Sequence, residues 1–170
     1  MRTQFSEMQV GDTTLAVRPI TLNDVDRLAR MGARLSPESV RFRFFSPLRT
    51  FPRPMLLRLA DVDHGCRDAL VALDGDEIVA VARYDARPDG HTAEIALTFE
   101  DAWQHRGVGK RLARRLAVLA RGRGYDRFVA SVLPENRAAL GLVHRLAPEA
   151  KVVWAGGDYE ACMPLAQFAC

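Results

Sequence analysis

The stretch Trp103-Gln104-His105-Arg106-Gly107-Val108-Gly109-Lys110 has the residue types of an anion site. Two glycines at i and i+2 let a backbone approach a ligand closely. The segment lies between a strand pattern and a helix pattern, so its amides fall at a helix N-terminus. First-turn N–H groups lack intrahelical partners, and the helix carries about half a positive charge there. Together these features suit a phosphate. Arg106 and Lys110 add formal charge. Residue types exclude two familiar phosphate motifs. A P-loop needs Gly at 104 and Ser or Thr at 111, where the chain has Gln104 and Arg111. A dinucleotide fingerprint needs a third glycine at 112, which is Leu112.

The elements that must position this loop follow from local patterning. LAVRPI (15–20) alternates like a strand, and Thr21 with Asp24 reads as a capping box for a helix ending near Arg34. Ser36-Pro37-Glu38 starts a second helix through VRFRFF, with Pro at its first position. Pro52 and Pro54 bound a third, MLLRLADV. DALVAL and IVAVARYDA are β-rich runs joined at Asp74-Gly75-Asp76, a hairpin signal, and Pro88-Asp89-Gly90 leads into a strand from Thr92 to Glu100. Val108, Leu112, Leu116 and Leu119 stripe one face of a helix from about Gly107 to Arg121. RFVASVL is a strand, residues 135–146 a short helix, and KVVWAG and YEACMPL two final strands. The pattern is α+β, a mostly antiparallel sheet with one β-α-β crossover between Thr92 and Leu133. Both phosphate motifs excluded above belong instead to parallel doubly wound sheets.

Composition narrows the class. At 170 residues the chain is read as one domain, 1–170. The 48% hydrophobic content and mean hydropathy of −0.10 are those of a globular chain, not a disordered one. No apolar run approaches the ~20 residues of a membrane span. MRTQFSEMQVGDTT has no signal-peptide core, so the expected location is cytoplasmic, with no membrane partner. Cys66, Cys162 and Cys170 are odd in number and form no CxxC pair, which predicts reduced thiols and no metal site. A net charge of +3 is too small to argue for nucleic acid. Only Lys110 and Lys151 are lysines, so 22 of the 24 cations are Arg, as codon bias produces. The arginines of the helix after the glycine loop are expected to be solvated or to meet a ligand phosphate.

The spacing Gln-x-x-Gly-x-Gly resembles the acyl-CoA diphosphate loop of the GNAT acetyltransferase superfamily. AEIALTFEDAW upstream resembles that family's central strand, whose backbone pairs with the pantetheine arm. Pro134-Glu135-Asn136-Arg137-Ala138-Ala139-Leu140 downstream resembles its Asn-x-x-Ala helix start. Order and spacing agree from about Val17 to Leu165. LSPESVRFRFF, DALVALDGDEIVAVARYD, AEIALTFEDAWQHRGVGKRL and RFVASVLPENRAAL together resemble the catalytic domain of bacterial protein lysine acetyltransferases. In that family the domain is often joined to a large acyl-CoA-synthetase-like domain, for which 170 residues leave no room. The resemblance implies a GNAT fold: a mixed, mostly antiparallel sheet of six to seven strands flanked by about four helices. It implies acetyl-CoA as cosubstrate, held by residues 104–110, by Leu97, Thr98 and Phe99, and by Asn136 on the pantetheine arm. It also implies a protein lysine acceptor, acyl-CoA synthetases among them. A small-molecule amine, or acyl-CoA sensing without catalysis, is the alternative, and the protein is expected as a monomer or homodimer.

Acetyl transfer to an amine sets a chemical demand. An alkyl ammonium of pKa ~10.4 is ~3.4 units from neutral pH, about 4.6 kcal/mol against the nucleophilic form. A base or a desolvating pocket must offset part of that. Glu94 stands where the resembled family keeps its glutamate base, and Glu100 is the second candidate. Alternation places Glu94, Ala96, Thr98 and Glu100 on one face of the strand, with Ile95, Leu97 and Phe99 packing on the other. A backbone N–H near Leu97 to Phe99 is the expected oxyanion donor. The helix-rich region from Thr21 to Asp63 is expected to form the acceptor side; Asp61, Asp63 and Asp68 are read as acids able to attract a cation, and His64 and His91 as exposed turn residues. Many GNAT enzymes carry a Tyr seven residues after the motif Asn, as general acid. Here that position is Val143, and the adjacent His144 points ~100° away on the helix.

Overall fold

The structure, a computed structural model, describes residues 5–168. Eight strands form one sheet: β1 Ser6–Val10, β2 Thr13–Pro19, β3 Arg67–Asp74, β4 Glu77–Ala86, β5 Thr92–Phe99, β6 Arg127–Val132, β7 Lys151–Trp154 and β8 Tyr159–Pro164. Their spatial order is β1-β2-β3-β4-β5-β6-β8-β7. All neighbours are antiparallel except β5 and β6, joined by the one crossover. The helices are α1 Val25–Arg34, α2 Pro37–Phe44, α3 Arg53–Ala60, α4 Val108–Gly122 and α5 Arg137–Leu146. The architecture is α+β and mostly antiparallel, as the resemblance implies, with eight strands instead of six to seven and five α-helices instead of about four.

The added strand is β1. Met8 and Val10 are buried while Glu7 and Gln9 face water, a short alternation closed by Gly11 at φ +60°. Arginines hold it in place. Arg115 donates to Ser6 Oγ and the Glu7 carbonyl at 2.9 and 2.7 Å, and Arg111 donates to the Gln9 carbonyl. The α4 arginines expected to be solvated or to meet a ligand phosphate therefore include two that fasten β1 to α4. α3 begins two residues before MLLRLADV, because Pro54 sits inside its first turn, where a missing N–H costs nothing.

The sheet is covered on both faces. α4 and α5 bury Leu112, Leu116, Val143 and Leu146 against Tyr84, Ile95 and Phe128. α1 and α3 bury Leu28, Met31 and Leu56 against Val71, Ile78 and Val81. Cover on both sides explains why β3 and β4 read as near-continuous apolar runs. No helix among the described residues is long and apolar enough to cross a membrane.

Asp24 anchors the α1 layer. It is fully buried and accepts from Arg18 at 2.6 and 2.7 Å and from the Thr21 amide at 2.9 Å. Burial pushes its carboxyl pKa up. The hydrogen bonds from Arg18 and Thr21, with the charges of Arg18 and Arg27, outweigh this and hold it below the usual range. The native state therefore binds this proton less readily than the unfolded chain. The stabilisation is present above the unfolded carboxylate range and is lost as pH falls through the lower native value. Asp24→Asn should destabilise the fold by about 2–4 kcal/mol in urea titrations at pH 7. It should also flatten the loss of stability that the native protein shows below about pH 4; an unchanged acid limb would dismiss this anchor.

Candidate active site

The crossover creates the site. β5 and β6 pair only through Thr92, Ala93 and Glu94 against Arg127, Phe128 and Val129. Beyond that point β5 keeps its ladder to β4 out to Phe99, and β6 keeps its ladder to β8 out to Val132. The two strands lose each other, so a cavity of about 1190 Å³ opens between them. Residues 94–99 of β5 form one wall and Ala130, Ser131 and Val132 of β6 the other. On the parted edge every second β5 residue turns its amide and carbonyl into the gap, where no strand meets them. An extended polar chain laid there would continue the ladder. Residues of α2 and α5 complete the lining.

The glycine loop forms the floor. A short 3-10 turn over Asp101–Trp103 leads from β5 into it. His105 has φ +58° and Gly107 φ +79°, so the chain turns through the left-handed region twice before α4 begins. The Arg111 amide donates to the Gly107 carbonyl at 3.3 Å, and among the described residues the amides of 105–110 have no protein acceptor. The loop thus presents a run of free N–H groups at a helix N-terminus, the feature expected of an anion cradle.

The two glycines act differently. A Cβ on Gly107 would meet no protein atom within 4 Å, so its glycine is demanded by φ and by the open space it faces. A Cβ on Gly109 would lie 2.7 Å from the Phe99 ring, so its glycine is demanded by close packing of α4 on β5.

Side chains sort the remaining predicted residues. Leu97, Thr98, Phe99, Gln104, His105, Lys110 and Asn136 line the cavity. Val108 does not, being 1% exposed in the core. Arg106 does not either, since its guanidinium lies 4.5 Å from the Trp103 ring centroid, and so this predicted charge is turned from the floor. Gln104 uses its amide to donate to Ser39 Oγ of α2 at 3.1 Å, while Ser39 donates to Asp101 at 2.9 Å. Gln104 therefore fastens the loop to α2. Asn136 caps α5 by accepting from the Ala139 amide at 3.1 Å, which leaves its own N–H₂ available to the cavity.

The carboxylates separate clearly. Glu94 sits where β5 and β6 part, and its side chain is 47% exposed, 3.6 Å from Arg87 Nη2. Glu100 is only 13% exposed and accepts from Arg34 Nε at 2.6 Å and Nη2 at 2.5 Å. That ion pair to α1 removes Glu100 as the second base candidate. Asp63 accepts from the Gly65 and Arg67 amides, and buried Asp68 meets His64 Nδ1 at 2.9 Å and the Ala69 amide. These two, with Asp61, stand outside the cavity wall, and Asp63 and Asp68 serve local turns. His64 is in that turn instead of simply exposed. Val143 is in the wall with no proton to give, and His144 points outward. Cys66 and Cys162 are free thiols, and Cys170 lies outside the described residues. From the helix-rich region 21–63, expected on the acceptor side, α2 brings Glu38, Ser39, Phe42 and Arg43 to the cavity; VRFRFF read as a helix but gave no sign of which face it turned inward.

Known proteins share this arrangement. The chain matches the model of the Acetyltransferase (GNAT) family over residues 38–147. It is 32% identical over 152 residues to Acetyltransferase Pat of Mycolicibacterium smegmatis, a match covering 86% of the chain and 44% of that protein. It is 32% identical over 143 residues to Acetyltransferase PA5475 of Pseudomonas aeruginosa, covering 78% of the chain and 77% of that protein. The crystal structure of the GNAT domain of S. lividans PAT superposes with a TM-score of 0.87 at 30% identity, covering 94% of the chain and 96% of that domain.

Glu94 in β5 and Glu100 just after it should differ in thermal denaturation. Glu100→Gln breaks the Arg34 pair and should lower Tm by a few degrees, for about 1–2 kcal/mol. Glu94→Gln should leave Tm nearly unmoved, and equal losses would contradict the assignment of Glu100 to structure.

Proposed function

The chain belongs to the GNAT acetyltransferase family, and from that premise we propose that it acetylates protein lysine ε-amines, with Glu94 as the base. It is an acetyl-CoA-dependent N-acetyltransferase acting, in this reading, as a single domain over 1–170 within the cytoplasm. The carrying observation is the half-exposed Glu94 carboxylate at the mouth of the gap between β5 and β6.

The cavity fits acetyl-CoA by its donor set. Free amides of 105–110 and the Lys110 ammonium suit the diphosphate. The unpaired β5 edge from Leu97 to Phe99 suits the amides of pantetheine, with the Asn136 N–H₂ opposite. The thioester then lies against β5, and a β5 N–H meets the oxygen on which charge develops. Glu94 takes a proton from the acceptor ammonium, directly or through water, because its carboxylate is solvated and within the same cavity. The neutral amine attacks the thioester carbonyl in a ternary complex, the new C–N bond forms as the nitrogen gives its second proton to solvent, the C–S bond breaks, and the thiolate leaves. No side-chain hydroxyl stands at Val143, so solvent protonates the departing thiolate.

A lysine acceptor is what the resemblance to bacterial protein lysine acetyltransferases implies, and the similarity to the Mycolicibacterium Acetyltransferase Pat at 32% identity and to the S. lividans PAT domain at TM-score 0.87 is in line with it. Acyl-CoA synthetases are the first protein acceptors to test. The chain spans 44% of the Mycolicibacterium protein's length, so regulation residing in the remainder is not transferred.

Glu94→Gln should lower kcat by roughly 10²-fold with acetyl-CoA affinity nearly unchanged; an unaltered kcat at saturating acceptor removes Glu94 from the role. Gly107→Val should abolish CoA binding in calorimetry, by strained φ and by a side chain in the diphosphate space, and tight binding in that variant is the contrary result. Incubating the protein with labelled acetyl-CoA and a cell lysate should mark protein lysines. Labelling of free amines alone would favour a small-molecule acceptor.

A further inference from the structure

Arg43 is the one cation of the cavity's α2 wall whose own bonding is incomplete. Its side chain contributes to the main cavity and to a smaller apolar one of about 50 Å³ behind it, where it stands with Arg83, Ala96 and Thr98. It therefore lies over the same β5 face as Glu94. Among the described residues it makes no hydrogen bond and no ion pair. Its guanidinium carbon stands 4.8 Å from the centroid of the Phe44 ring.

The neighbouring charges are otherwise engaged. Arg83 donates to Asp85 at 3.3 Å and to the Leu59 carbonyl at 3.1 Å. Asp85 also accepts from Arg67, and Glu94 faces Arg87. Burial, and then the Arg83 charge, push the Arg43 guanidinium down to about 10, while Asp85 and Glu94 attract it from a distance. It remains charged at neutral pH, in surroundings that disfavour the charge. Guanidinium groups held in this way are best satisfied by a planar anion that accepts two N–H bonds.

We propose that Arg43 binds a carboxylate carried by the acceptor close to its reacting amine. This rests on the amine-acetylating reading above and narrows its substrate class. The cleft then offers an anion, Glu94, to the ammonium end of the acceptor and a cation, Arg43, to its carboxylate end. Such paired complementarity fixes register and excludes purely cationic amines. The carboxylate has two sources: an Asp or Glu flanking a target lysine in a protein segment, or the α-carboxylate of a free amino acid.

The test compares acceptors that differ only in that group. Lysine is set against cadaverine, and a Lys peptide flanked by Glu against the same peptide flanked by Ala. The wild-type protein should show kcat/KM about 10- to 100-fold higher for the carboxylate-bearing member of at least one pair, the gain expected of a charged bidentate hydrogen bond. Preference confined to the peptide pair identifies a flanking side chain, and preference confined to lysine an α-carboxylate. Arg43→Gln should erase the preference through KM, and Arg43→Lys should restore part of it. Calorimetric binding of both pairs to the CoA-loaded wild-type protein reads the same contrast without turnover or a folded variant. Equal binding of carboxylate and neutral members, or a preference unchanged in Arg43→Gln, overturns the proposal. If protein lysines are acetylated without regard to neighbouring acids, the Arg43 site fails and the lysine acetyltransferase reading stands. If the carboxylate preference persists in binding while no protein lysine is labelled, the reverse holds.

Discussion

Two parallel strands that part after three pairs are the constraint on which the site depends. β5 and β6 are held together through Glu94 and Val129 and then diverge, each kept in place by its outer antiparallel neighbour. A buried strand edge without partners is normally costly, because each unpaired amide or carbonyl forfeits its hydrogen bond. The gap is tolerated because it is open to solvent and is shaped for a ligand that supplies those bonds. The same divergence places the Glu94 carboxylate at the mouth, the glycine loop below and Asn136 across the gap.

Other interactions keep the gap's boundaries still. Gln104, Ser39 and Asp101 join the loop to α2, and Glu100 joins the end of β5 to Arg34 of α1. The Phe99 ring rests where a side chain on Gly109 would be, which brings α4 against β5. These contacts stabilise the fold modestly. Their larger effect is to hold the free amides of 105–110 in one orientation, so that binding an anion requires little reorganisation.

Much of this was legible in the chain itself. Period-2 and period-3.6 patterning located seven strands and the five helices, and the glycine loop was identifiable from residue type and its place between a strand and a helix. Asn136 was readable as a pantetheine partner through the family resemblance alone, and its capping of α5 is seen in the structure. β1 was not legible: five residues with two buried positions carry little periodic signal, and its anchorage comes from Arg111 and Arg115 more than a hundred residues away. The roles of individual charged residues were also hidden. Glu94 and Glu100 occupy the same strand face, and only the position of Arg34 across the layer makes one structural. Arg106 sits within the motif yet stacks on Trp103, since cation–π contact competes with a solvated loop position. Such choices depend on long-range neighbours, which local spacing does not encode.

The central claim is that the diphosphate of acetyl-CoA meets the amides of residues 105–110 while its acyl end lies in the gap beside Leu97 to Phe99. A crystal structure of the protein with acetyl-CoA measures this most directly. The account predicts diphosphate oxygens about 2.7–3.2 Å from at least two of those amide nitrogens, with the pantetheine amides bonded to the parted edge of β5. Density for the coenzyme at any other surface, or β5 and β6 zipped together with the ligand outside them, would contradict it.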